Sequence, residues 1–101
     1  MDSFISHVEN RVNAEMSDRL TANAAVSFLN SMRSHSLEEV SQDSLRMWLV
    51  DMTMNNLKKS TRKKYFSRIH TLFREWRRGI ADDPFEAVQE DVNLDFESGL
   101  D

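Results

Sequence analysis

The sequence predicts an all-α fold, a bundle of four to five helices. Three observations lead there. The 101 residues contain only two Gly and one Pro, which sheets and tight turns would use in larger numbers. Apolar residues recur at three- and four-residue spacing in each long segment. Ser or Asp stands just ahead of each such segment, where a side-chain oxygen can satisfy the exposed amides of a helix start.

The first helix is expected from Asp2 to about Glu15, with Phe4, Ile5, Val8 and Val12 in register and Ser3 as N-cap. Ser17 or Asp18 opens the second, which runs to about Arg33 with Leu20, Ala24, Ala25, Phe28, Leu29 and Met32 on one stripe. Ser34-His35-Ser36 interrupts the period, and Ser36-Leu37-Glu38-Glu39 reads as a capping box of about one turn. Ser41 caps a third helix that buries Leu45, Trp48, Leu49 and Met52 and stops at Asn55-Asn56. Ser60 caps the fourth and longest helix. Its Tyr65, Phe66, Ile69, Leu72, Phe73 and Trp76 fall within about 120° of arc, the width of a core-facing stripe. Gly79 and Ile80 supply a left-handed stop and its apolar partner, and Arg77 and Arg78 suit the negative end of the helix dipole. Asp83-Pro84-Phe85-Glu86 starts a short fifth helix to about Glu90. Residues 1–90 thus form one helical domain, and 91–101 an acidic tail or linker.

Composition removes several functional classes. No cysteine is present, which excludes a disulfide scaffold, a Cys-based zinc site and a thiol nucleophile. Apolar runs are only a few residues long, so no membrane span and no signal-peptide core is expected; the cytosol is the expected compartment. A composition of 40% hydrophobic and 30% charged residues is that of a soluble globular chain rather than a disordered one.

The net charge of −4 hides an asymmetry. Residues 1–57 carry four basic and eight acidic side chains, net −4; residues 58–80 carry nine basic and one acidic, net +8; residues 81–101 carry eight acidic and no Lys or Arg, net −8. Screening confines charge effects to about 8 Å at physiological salt, so the local value decides the partner. A stretch of +8 points to nucleic acid.

The fourth helix concentrates that charge. Opposite its apolar stripe lie Lys63, Lys64, Arg68, Arg74, Arg77 and Arg78, together with Ser67 and His70. Its N-terminal end adds Lys58, Lys59 and Arg62, and the Ser60 and Thr61 hydroxyls sit where a positive helix end receives phosphate. A rod of cations matches a phosphate backbone, and counterion release drives the binding. Arg and Lys chains also reach base edges from a helix in the major groove. Two other readings stand beside this one: a simple solvated face, and a basic face screened by the chain's own acidic tail.

An ordered set of segments extends the argument. Ser36-Leu-Glu-Glu-Val-Ser-Gln-Asp-Ser-Leu-Arg-Met-Trp-Leu is followed by Leu57-Lys-Lys-Ser-Thr-Arg-Lys-Lys-Tyr-Phe-Ser-Arg-Ile-His-Thr-Leu-Phe-Arg-Glu-Trp and then Gly79-Ile-Ala-Asp-Asp-Pro-Phe. This order, over residues 3–90, resembles the N-terminal core-binding domain of tyrosine recombinases, the phage-type integrases. The opening Phe4-Ile-Ser-His-Val-Glu-Asn-Arg and the Thr21-Ala-Asn segment are similar to integrases of Bacteroides-type mobile elements. The resemblance implies an orthogonal, SAM-like bundle that clamps one side of double-stranded DNA at the core recombination site. A C-terminal catalytic domain of the same parent chain would clamp the other side, and further protomers would assemble on the DNA. It also implies groove-facing second and fourth helices: Lys59, Ser60, Thr61, Arg62, Lys64 and Arg68 from the fourth, and Thr21, Asn23, Ser27 and Asn30 from the second. Most contacts should go to phosphates. Two departures stand out. The segment after Asp-Pro-Phe is acidic where the family is often basic, and Ala25 occupies the usual place of an aromatic, so a thinner core is expected there.

Catalysis finds little support in this chain. The family's chemistry needs a Tyr nucleophile, two Arg, a Lys and His residues in a separate, larger domain. The single tyrosine, Tyr65, lies on the apolar stripe and reads as core or groove-edge packing. His7, His35 and His70 lack metal-ligand spacing and are expected at the surface. Asp82-Asp83 reads as a cap, there is no glycine-rich phosphate loop, and Trp48 and Trp76 read as core anchors. The expectation is a binding module without cofactor, membrane contact or activity of its own. The alternative is a helical protein-interaction module that takes an acidic partner on the same basic helix.

Overall fold

The computed structural model describes residues 3–13, 18–77 and 83–89. Four long helices, α1 (Phe4–Asn13), α2 (Arg19–Ser34), α3 (Gln42–Met54) and α4 (Lys59–Trp76), are followed by a short α5 at 84–89, and no strand occurs among the described residues. The all-α bundle is therefore as the periodicity predicts. None of these helices is long and apolar enough to cross a membrane.

Most helix starts follow the local chemistry. The Ser3 hydroxyl accepts the Ser6 amide at 3.1 Å. Asp18 is the N-cap of α2, accepting the Leu20 amide at 3.0 Å and the Thr21 hydroxyl at 2.8 Å. Ser41 and Ser44 form a reciprocal capping box at α3, with bonds of 3.1 and 2.7 Å. Asp83 caps α5, its Oδ1 accepting the Phe85 amide at 2.9 Å with Pro84 at the first helical position. At α4 the expected cap moves: Lys58 is the N-cap residue and no side chain caps it, so Ser60 lies inside the first turn. Gly79, Ile80, Arg78, Asp82 and the segment from residue 90 onward lie outside the described residues.

The ends of α2 and α3 share one device. Ser36 and Asn56 adopt left-handed backbone, with φ of 56° and 65°. Around them run paired bonds, Leu37 N to Met32 O (2.8 Å) with Ser36 N to Arg33 O (3.1 Å), and Leu57 N to Met52 O (3.1 Å) with Asn56 N to Thr53 O (3.0 Å). Both are Schellman motifs, and Leu37 and Leu57 provide the apolar contact such ends need. This corrects the capping box expected at 36–39: Ser36 ends α2 instead of starting a new turn, and residues 37–41 are not helical.

The core is one cluster fed by all five helices. Phe4, Val8, Ala24, Ala25, Phe28, Met32, Leu45, Trp48, Met52, Phe66, Ile69, Phe73, Phe85 and Val88 are each at most 2% exposed. Each fully buried large apolar side chain contributes about 1.5–3 kcal/mol. Leu49, Tyr65 and Trp76 pack at its margin. Trp48 stands edge-on to Phe28, with ring centroids 5.2 Å apart, and its indole N–H donates to the Ser27 hydroxyl at 3.0 Å. Ala25, small where an aromatic is usual, is itself fully buried in this cluster. Phe4 of α1 meets Phe28, Phe73, Trp76 and Phe85 at centroid distances of 5.2 to 6.2 Å. α2 and α4 form the most extensive helix pair, which fixes the polar face of α4 relative to α2.

Candidate nucleic-acid interface

With its apolar stripe held by the core, α4 turns its opposite side outward. Ser60, Lys63, Lys64, Ser67, Arg68 and Thr71 line one open groove of about 590 Å³, bordered by Leu20 of α2. Lys64 and Arg68 are exposed, Lys63 half-buried. Three cations and the Ser60 and Ser67 hydroxyls thus share one surface, the combination that binds phosphate oxygens through charge and short donors, while the Thr71 hydroxyl donates back to the Ser67 carbonyl at 3.1 Å. Lys58 is exposed and Lys59 and Thr61 half-buried at the N-terminal end of the same helix. Arg74, exposed one turn beyond Thr71, continues the row toward α5.

Arg68 has an acidic neighbour. Its guanidinium lies 3.3 Å from the Asp18 carboxylate, both side chains being about half exposed, at 49% and 45%. The Thr21 hydroxyl bond, with the Leu20 amide and the Arg68 charge adding to it, holds the Asp18 carboxyl below its usual 3.8. Asp18 therefore caps α2 and steadies Arg68 at the groove edge. A ligand phosphate would have to share this guanidinium, whose planar fork has donors for more than one oxygen.

The second-helix residues are placed differently. Asn23 and Asn30 are exposed and Ser27 half-buried, and they line a separate open groove of about 660 Å³ with Val26, Asp51, Met54 and Tyr65. Tyr65 is thus a groove-edge residue. Thr21 spends its hydroxyl proton on Asp18, and the Ser27 oxygen accepts from Trp48. The α2 and α4 residues line two separate grooves with no lining residue in common.

Two expected positions need correction. Arg62 is 8% exposed, and its guanidinium donates to the Leu57 carbonyl in the turn that follows α3. It braces that turn from within and does not belong to the cationic surface. The sequence did hold the signal: at 100° per residue Arg62 falls about 40° round from Lys58, inside the apolar sector. His70 is likewise not on the solvent face. Its side chain is 13% exposed, its Nε2 lies 2.7 Å from Asp83 Oδ2, and its ring stacks flat on Phe85 at 5.0 Å. This contact joins α4 to α5, which no local pattern announces. His35 is exposed as expected, facing Asp51 at 2.9 Å, whereas His7 holds a buried Nε2.

The remaining polar cluster has no nucleophile geometry. Asp51 Oδ2 accepts the Ser31 hydroxyl at 2.5 Å and faces His35 Nε2 at 2.9 Å. The carboxylate stands between serine and histidine, so the imidazole is not placed to take the hydroxyl proton; the cluster ties the end of α2 to α3. Among the described residues no group of His, Asp or Glu is arranged to hold a metal ion. No protein-family model, no curated protein and no solved structure matches this chain.

Proposed function

We propose that this chain is a duplex-DNA-binding module, the core-binding domain of a tyrosine recombinase that grips one side of the recombination site. The observation that carries the reading is the α4 groove. Lys63, Lys64 and Arg68 line one open surface together with Ser60, Ser67 and Thr71, while the other side of the helix is locked into the core. Cations scattered over several helices would not present a phosphate backbone with a continuous track. The α4 face supplies phosphate contacts, and the exposed Asn23 and Asn30 of the second groove are the residues suited to adenine edges.

The test is a fluorescence anisotropy titration with a labelled duplex. Four phosphate contacts, from Lys58, Lys63, Lys64 and Arg68, predict that log K falls with log salt at a slope of about −3.6. The triple variant Lys63→Ala, Lys64→Ala, Arg68→Ala should lose most of this binding while its helical circular dichroism is unchanged. Absence of binding at about 50 mM salt, where counterion release is strongly favourable, overturns the proposal.

A second reading has one observation of its own. Met47, Val50 and Met54, at three- and four-residue spacing on α3, are 41%, 59% and 76% exposed, and Val26, 47% exposed, lines a groove with Met54; DNA contact has no use for such apolar exposure. A helical protein-interaction module would use such a patch beside the basic helix to hold an acidic partner. Pull-down before and after nuclease treatment separates the two, since a partner retained without nucleic acid favours this reading.

A further inference from the structure

α3 is apolar on two sides. Leu45, Trp48 and Met52 are buried in the core. On the opposite side Met47, Val50 and Met54 fall within about 60° of arc at 100° per residue, and all three are exposed. α4, by contrast, exposes no large hydrophobic side chain among the described residues. A helix that is apolar all round is ordinarily covered all round. An exposed apolar stripe with a charged rim marks a contact surface.

The rim indicates what covers it. Asp43 lies on the same stripe, one turn ahead of Met47, with its side chain 92% exposed. The exposed Glu38 and Glu39 come just before α3. Arg46, on the flank, lies 3.9 Å from Asp43 and offsets only part of this charge. Past Met54 the chain turns at Asn56 and enters α4 with the exposed Lys58 and the half-buried Lys59. Asp51, nearer that end, is engaged by Ser31 and His35. The stripe is therefore acidic at one end, apolar in the middle and basic at the other. A uniformly acidic or uniformly basic partner matches one end and is repelled by the other. The same surface turned about a two-fold axis matches both.

We propose that the outer stripe of α3 docks against that of a second copy of this chain, with the two helices antiparallel. Met47, Val50 and Met54 of the two copies meet around the axis, and Asp43 of each copy lies at the Lys58 end of the other. Antiparallel helix dipoles favour the same orientation, whereas a parallel pair would set acid against acid. From Asp43 to Met54 the stripe runs about 17 Å, and packed helices approach to about 8–10 Å between axes. A contact one helix wide stays below the roughly 800 Å² per partner of a standard stable interface, so the association is weak and reversible.

Sedimentation equilibrium of the intact chain without DNA, from about 10 μM to about 1 mM, covers the range of weak association. The mean mass should rise toward that of two chains and no further, because a two-fold contact closes on itself. Val50→Glu places a carboxylate beside its own copy at the axis. It should hold the mass at one chain at every concentration, with helical circular dichroism unchanged because Val50 is a surface residue. Asp43→Lys and Lys58→Glu should each weaken association about three- to tenfold at about 50 mM salt, since two exposed pairs turn from attraction to repulsion. The chain carrying both reversals should recover the native association, because the exchanged charges meet again across the axis. Unspecific adhesion of apolar side chains would show no such recovery. A native chain that keeps the mass of one copy up to about 1 mM overturns the inference and leaves the stripe to a different protein. Association unaffected by Val50→Glu overturns it as well, as does a double reversal no better than the single ones. With no DNA present, the outcome is independent of the DNA reading.

Discussion

Replacing Arg62 by methionine separates a brace from a ligand-binding cation. Methionine keeps much of the aliphatic stem but removes the guanidinium that donates to the Leu57 carbonyl. A hydrogen bond from a charged donor contributes about 1.5–3 kcal/mol, and the carbonyl would be left under-satisfied beside the core. A loss of about 2 kcal/mol lowers Tm by about 8–16 °C in a domain of this size. The contrast is Lys64→Ala on the exposed row: its stability should change by less than about 0.5 kcal/mol, while its salt slope for duplex binding falls in magnitude by about 0.9. Thermal melts followed by circular dichroism, paired with anisotropy titrations, read both quantities. The reasoning is refuted if Arg62→Met melts with the native chain and loses one unit of salt dependence, because the arginine would then be facing phosphate.

Further outcomes follow from the same geometry. Ser36→Gly and Asn56→Gly relieve left-handed backbone at φ of 56° and 65°, and each should stabilise by up to about 1 kcal/mol in urea melts, more at Ser36 because asparagine tolerates that region better. Trp48→Phe removes the bond to Ser27 and leaves a void among fully buried rings, with an expected cost of about 1–3 kcal/mol; an unchanged midpoint would show that the core had collapsed onto the site. Asp18 has a folded-state pKa below its usual 3.8, so its ionised form favours folding above that value, and the contribution disappears as pH falls through the lowered one. The melting temperatures of native protein and Asp18→Ala should therefore differ at neutral pH and draw together in acid. A gap that stays constant down to about pH 2, below the ordinary carboxylate range, would remove ionisation from the explanation.

The helices were legible because their causes are local. Ser3, Asp18, Ser41 and Asp83 each sit one residue ahead of a helix, a few residues at most before its apolar period begins, and each is the cap in the structure. At Ser36 the Ser-x-x-Glu spacing satisfies a start rule, while the bonds that close α2 run backward from Ser36 and Leu37 to Arg33 and Met32. Leu37 packs against the core, and that tertiary contact favours the stop. The cationic row was legible for the same reason as the core stripe, since both are periodicities of one helix. Arg62 is legible only from its angle inside the apolar sector, against the usual place of a cation, and His70 is not legible at all, because its angle lies on the polar side and α5 covers it. Their partners, Leu57 and Asp83, belong to neighbouring turns that only packing brings near.

Phe4 and Phe85 meet near the centre of the ring cluster, 6.2 Å apart, although most of the described chain separates them. α1 and α5 therefore complete each other's burial. A chain emerging from the ribosome cannot shield Phe4 fully until the residues around Phe85 have also cleared the exit tunnel, so a nascent chain halted before that point would display an aromatic surface for chaperones to seize.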